Sequence, residues 1–127
     1  MKFVLFVDDN ALLARISCEI LNRHGFHAQC AYSGAEALIL MEKEPADVVI
    51  TDMCMDGMNG LELAREMRAR WPKVPVILVT AYDEVSSPDI VKCLTKDALF
   101  PTLLKELSAL DGATPVGVDR RNNVLSS

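Results

Sequence analysis

At 127 residues the chain has the length of one domain, and with half its residues apolar and 24% charged it is excluded from the disordered class and can bury a core without disulfide staples. Eighteen acidic residues against 13 basic ones give a net charge of -5, which argues against nonspecific nucleic-acid binding, since phosphate contacts need clustered Lys and Arg. No apolar run approaches the roughly 20 residues that span a bilayer, and the first seven residues are too short for a signal peptide, so the expected location is the cytoplasm, with no membrane partner.

Apolar residues 3–7 predict a buried strand that ends on Asp8 and Asp9. Asn10 can cap a helix starting at Ala11, with Leu12, Leu13, Ile16, Ile20 and Leu21 read as one apolar face and Gly25 as its stop. Residues 27–32 form a short strand. Ser33 and Glu36 then have capping-box spacing, and Ala37, Leu38 and Met41 supply the inward stripe of a second helix that stops before Pro45. Residues 47–51 are a third strand with Asp52 at its carboxyl end. A glycine-containing loop, 53–60, leads to a third helix over 61–70. Residues 76–79 form a fourth strand followed by Thr80, and 91–95 a fifth followed by Lys96. A last helix covers 99–110. The expected boundaries are a domain over 1–111 and a tail or linker stub over 112–127.

Strands this apolar are covered on both faces, so the sheet is expected to be parallel, within a doubly wound, five-stranded α/β domain. Ligands of such sheets bind beyond the carboxyl ends of the strands. Asp8, Asp9, Asp52, Thr80 and Lys96 all occupy such ends, so three carboxylates, a hydroxyl and an ammonium group should meet in one cleft. Singly, each has an ordinary explanation as a cap, a turn residue or a solvated charge; their shared order along the strand ends does not. Crowded carboxylates repel and call for a hard cation, and Mg2+ takes carboxylate and phosphate oxygens. Lys96 adds a positive charge for an anion and Thr80 a donor. The set suits attack by a carboxylate on phosphorus.

With those residues in hand, the sequence resembles the receiver domains of two-component response regulators, over residues 2–110. The resemblance rests on Val7-Asp8-Asp9-Asn10, on Asp52-Met53-Cys54-Met55-Asp56-Gly57-Met58-Asn59-Gly60, on Pro75-Val76-Ile77-Leu78-Val79-Thr80-Ala81 and on Leu94-Thr95-Lys96. It implies a flavodoxin-like fold, with Asp52 as the phosphoacceptor served by a sensor histidine kinase or a histidine phosphotransfer protein. It implies Asp8 and Asp9 as the acidic metal pair, with Asp9 the closer ligand and Asp8 acting more through water. The backbone carbonyl of Cys54 completes the protein's share of the Mg2+ shell. Thr80 and Lys96 bind the phosphoryl oxygens, while Tyr82 and Cys54 hold positions that influence phosphate lifetime.

The chain departs from that family in three ways. Only 16 positions separate Thr80 from Lys96, fewer than is usual, so the helix between the fourth and fifth strands is expected to be absent or cut to about one turn. Cys93 replaces the usual aromatic residue three positions before the lysine. Asp97 replaces the usual proline after it, which favours a trans bond because a cis bond to a non-proline residue costs about 3–4 kcal/mol. All three fall on a face that in the family binds targets or forms dimers, so a homodimer stays open. Two other readings are a receiver-like docking or dimerisation module with little dependence on phosphate, and an aspartate-nucleophile phosphatase. The second of these lacks an acid two positions after Asp52, where Cys54 stands, so no turnover enzyme is expected. The four cysteines form no C-x-x-C pair and are expected to be reduced and apolar in role.

Overall fold

The computed structural model describes residues 2–81, 85–96 and 99–110. It divides into two compact units, residues 1–96 and 97–127.

The first unit runs β1 (Phe3–Val7), α1 (Ala11–Arg23), β2 (His27–Ala31), α2 (Gly34–Lys43), β3 (Val48–Asp52), α3 (Gly60–Arg70), β4 (Val76–Thr80) and β5 (Lys92–Thr95). The five strands form one parallel sheet in the order β2-β1-β3-β4-β5, with the order reversing at β1 and β3. All five residues of β3 and of β4 are buried, as a strand covered on both faces requires. Leu5, Val7 and Val49 from the strands pack with Met41 of α2 and with Leu63 and Met67 of α3 on one face. The buried residues of α1 are absent from that cluster and serve the opposite face.

The helix ends are set locally. Asn10 Oδ1 accepts from Leu13 N, and Ser33 Oγ accepts from Glu36 N while Glu36 reaches back to Tyr32 N. Asn59 and Glu62 form a reciprocal capping box at α3. The inward face of α1 differs from the expected one. It carries Ala14, Ser17, Cys18 and Leu21, while Leu12, Leu13 and Ile16 are exposed. Of the expected face Leu21 is buried, while small residues fill the other inward positions and Leu12, Leu13 and Ile16 turn outward.

Between β4 and β5 lie only residues 81–91, and none of the described ones, 81 and 85–91, is helical. The segment is held instead by α3. An Arg68 guanidinium N–H donates to the Pro88 carbonyl and the same nitrogen lies 3.5 Å from Asp89, while Ile90 packs against the core. Cys93, at the position of the usual aromatic, is buried and its Sγ accepts from Val85 N at 3.4 Å.

The second unit contains α4 (Leu99–Leu110), which places Leu103 and Leu107 one turn apart on one face. Tyr82, Asp97 and the expected tail over 112–127 lie outside the described residues.

Candidate functional site

The parallel register carries the polar residues to one sheet edge. Val7 pairs with Ala31 and with Thr51, Asp52 pairs with Val79, and Thr80 pairs with Thr95, so Asp8, Asp52, Thr80 and Lys96 end neighbouring strands. Asp8 N donates to the Ala31 carbonyl, which extends the β1–β2 ladder one residue and holds Asp8 in place, only 5% exposed. Its Oδ1 accepts from Asn10 N at 2.9 Å, an Asx turn that swings the chain into α1. Asp9 is exposed, and its Oδ2 accepts from Asp56 N at 3.1 Å, which ties the loop after β3 to the end of β1.

Asp52 is buried, and one carboxylate oxygen from each of Asp8, Asp9 and Asp52 lies within 4.8 Å of the others. Lys96 Nζ stands 3.3 Å from Asp52 Oδ1. Burial and then the charge of Asp8 push the Asp52 carboxyl above its ordinary value; Lys96 and the Met53 backbone N–H act in the opposite direction without cancelling them. Thr80 is buried at the end of β4. Cys54, two residues beyond Asp52, is exposed. The structure thus brings Asp8, Asp9, Asp52 and Lys96 together, and places Thr80 at the end of the strand beside Asp52.

The donors offered by Asp8, Asp9 and Asp52 are all oxygen, and three carboxylates share the cleft with the ammonium group of Lys96. That combination fits a small hard dication. The cleft also holds a buried carboxylate beside an ammonium group, an arrangement chemically able to take up and neutralise an anionic group.

Two supporting residues were not among the expected site residues. Gly60 begins α3 with its N–H donating to the Met53 carbonyl, and a Cβ there would sit 2.6 Å from Leu78 Cδ1, 2.9 Å from Met53 Cα and closer still to the Asp52 carbonyl oxygen. Only glycine lets α3 approach the strand that presents Asp52. Asn59, the α3 cap, had a readable signal in its spacing from Glu62; the contact made by Gly60 had none. His24 and His27 are exposed and far from this chemistry in the chain, His27 lying against the Phe3 ring.

Comparison with known proteins agrees with this geometry. Residues 4–111 match the family described as the response regulator receiver domain. The transcriptional regulatory protein GlrR of Escherichia coli K12 is 36% identical over 102 residues, which is 80% of this chain and 22% of that protein. The sensory transduction protein RegX3 of Mycolicibacterium smegmatis is 40% identical over 83 residues, 65% of this chain and 36% of that protein. The chain therefore spans about a fifth to a third of these relatives' length. Among solved structures, the response regulator TrrA of Thermotoga maritima in complex with Mg2+ and BeF superposes with a TM-score of 0.80 at 32% identity, covering 87% of this chain and 99% of that one. TrrA is also known in complex with the histidine kinase ThkA, where it superposes with a TM-score of 0.79.

Proposed function

The chain belongs to the response regulator receiver family of two-component systems, and we propose that it accepts a phosphoryl group on Asp52 from the phosphohistidine of a sensor kinase or phosphotransfer protein. The observation that carries this reading is the Lys96 ammonium 3.3 Å from the buried Asp52 carboxylate, beside the Asp8–Asp9 pair. Asp52 Oδ attacks phosphorus, the P–N bond to the donor imidazole breaks, and the imidazole leaves with the electron pair. Lys96 balances the phosphoryl charge and Thr80 donates to one of its oxygens.

Asp8, Asp9, Asp52 and the Cys54 carbonyl would hold Mg2+ in this reading. When bound, Mg2+ supplies positive charge that relieves the crowding of carboxylates and offsets that of the incoming phosphate. The TrrA complex with Mg2+ and BeF supports the assignment by similarity. A protein donor has an apolar surface to meet, since Leu12, Leu13 and Ile16 stand exposed on α1, which begins directly after Asp9 and Asn10. The domain works in the cytoplasm, and among the described residues no helix is long and apolar enough to cross a membrane. It is a stoichiometric acceptor rather than a turnover enzyme. Phosphorylation shifts an existing equilibrium between conformers, read by a partner or an attached output domain. The Arg68-held segment before β5, with Cys93 in place of an aromatic, relays the change through packing rather than a ring flip.

Incubation with acetyl phosphate and Mg2+, followed by intact-mass and peptide analysis, tests the reading. One phosphoryl group on Asp52, lost in Asp52→Asn, is expected. No modification of the wild-type protein, or modification that survives Asp52→Asn, overturns it.

A further inference from the structure

Cys18 and Cys30 take no part in the chemistry above. Cys18 lies on the inward face of α1 and is 6% exposed; Cys30 lies on β2, an edge strand, and is half-buried. Their Sγ atoms are 2.8 Å apart, and Cys30 Sγ is also 3.2 Å from the Ala14 carbonyl oxygen. Non-bonded carbon atoms rest at roughly 3.5–4.0 Å, and sulfur is larger, so these thiols sit inside ordinary contact. A disulfide has an S–S length of about 2.0 Å, so closing the 2.8 Å gap asks for less than ~1 Å of travel. Both thiols are free, and nothing in the acidic cleft requires two cysteines facing each other across α1 and β2.

We propose that Cys18 and Cys30 are a redox modification site, a thiol pair that a hydroperoxide closes to an intrachain disulfide joining α1 to β2. The more exposed Cys30 is the first to react. Its thiolate attacks a peroxide oxygen, the O–O bond breaks, and the leaving oxygen takes up a proton, giving Cys30 sulfenic acid. Cys18 then gives up its proton and its sulfur attacks the Cys30 sulfur. The S–S bond forms, and the sulfenic oxygen leaves as water. Two thiols are oxidised by two electrons in total, and one hydroperoxide is reduced to water and an alcohol, or to two waters for hydrogen peroxide. Burial and the neighbouring Cys30 push the Cys18 thiol well above its ordinary value, so Cys18 is not the sulfur that attacks the peroxide, and its attack on the sulfenic sulfur relies on the short distance between the two. A dithiol reductant reverses the bond by exchange.

The cross-link closes a short loop through the second half of α1, the turn at Gly25 and most of β2. Restricting that loop in the unfolded chain should raise the thermal midpoint by roughly 5–15 °C. The test treats the reduced 127-residue chain with a stoichiometric amount of hydrogen peroxide, counts thiols after denaturation and maps the peptides. The expected result is a fall from four free thiols to two, a Cys18–Cys30 peptide pair and a midpoint rise that dithiothreitol reverses. Cys30→Ser should abolish both the pair and the rise, and Cys18→Ala provides the same check should the first variant fold poorly. Retention of four thiols, loss mapped to the exposed Cys54, or a midpoint rise that persists in either variant overturns the proposal.

Discussion

An alanine at position 60 would add a single methyl group where the structure has no room for one. Its Cβ would meet the Asp52 carbonyl oxygen, Leu78 Cδ1 at 2.6 Å and Met53 Cα at 2.9 Å. Two of those three are backbone atoms, which cannot rotate away, so relief requires α3 to move off β3. Overpacking of a tight core costs about 1–3 kcal/mol, and the backbone contacts place Gly60→Ala at the upper end. Alanine regains up to ~1 kcal/mol of helix propensity, which leaves a net loss of about 2 kcal/mol. For a domain of this size that is a fall of roughly 6–12 °C in thermal midpoint. Two other glycines provide internal controls. At Gly57, φ is +78° with open space around it, so Gly57→Ala meets only backbone strain of about 1–2 kcal/mol. At Gly34 the nearest atom is the movable Met58 Sδ at 2.9 Å, so Gly34→Ala should cost least. Urea and thermal unfolding of the three variants should rank them in that order. A Gly60→Ala midpoint within error of wild type would refute the close-approach argument. Because the displaced atoms belong to Asp52 and Met53, the same variant should also lose phosphorylation.

Three further outcomes follow from the site and its surroundings. Burial and Asp8 raise Asp52 in the folded state above its unfolded value, so its contribution to stability is present at low pH and lost as pH rises through the raised value. Asp52→Asn should therefore be more stable than wild type at neutral pH without metal, with the gap narrowing in acid and on adding Mg2+; urea midpoints that fall in the variant at neutral pH would contradict this. Lys96→Ala removes the positive charge 3.3 Å from Asp52 and should slow phosphorylation on the order of 10²-fold, with the fold retained by circular dichroism; an unchanged rate would remove Lys96 from its role. Arg68→Ala releases the Pro88 carbonyl and the half-exposed pair with Asp89, costing about 0.5–1 kcal/mol and speeding amide exchange over residues 86–91; uniform exchange would show that the segment is held by other contacts.

The acidic cleft was legible in the sequence because parallel strands put all their carboxyl ends on one edge, so the order Asp8, Asp9, Asp52, Thr80, Lys96 already implied convergence. That no full helix would fit before β5 was legible from length alone, since residues 81–91 leave too few positions for a crossover helix, and none of the described ones is helical. Other features depend on distances between segments far apart in the chain, and only the folded molecule decided them. Apolar spacing placed Leu21 inward correctly, but it also suggested that Leu12, Leu13 and Ile16 face inward, whereas the folded molecule places Ala14, Ser17 and Cys18 there and leaves those three exposed. Gly60 looked like an ordinary loop end until α3 was seen against the Asp52 carbonyl. No sequence pattern tied Arg68 to Pro88 and Asp89, which the fold lays beside it. Cys18 and Cys30 share no motif, and it is the packing of α1 against β2 that sets their sulfurs 2.8 Å apart. The chemistry at the strand ends thus follows from chain order, while close approach and pairing follow from packing, which no local pattern encodes.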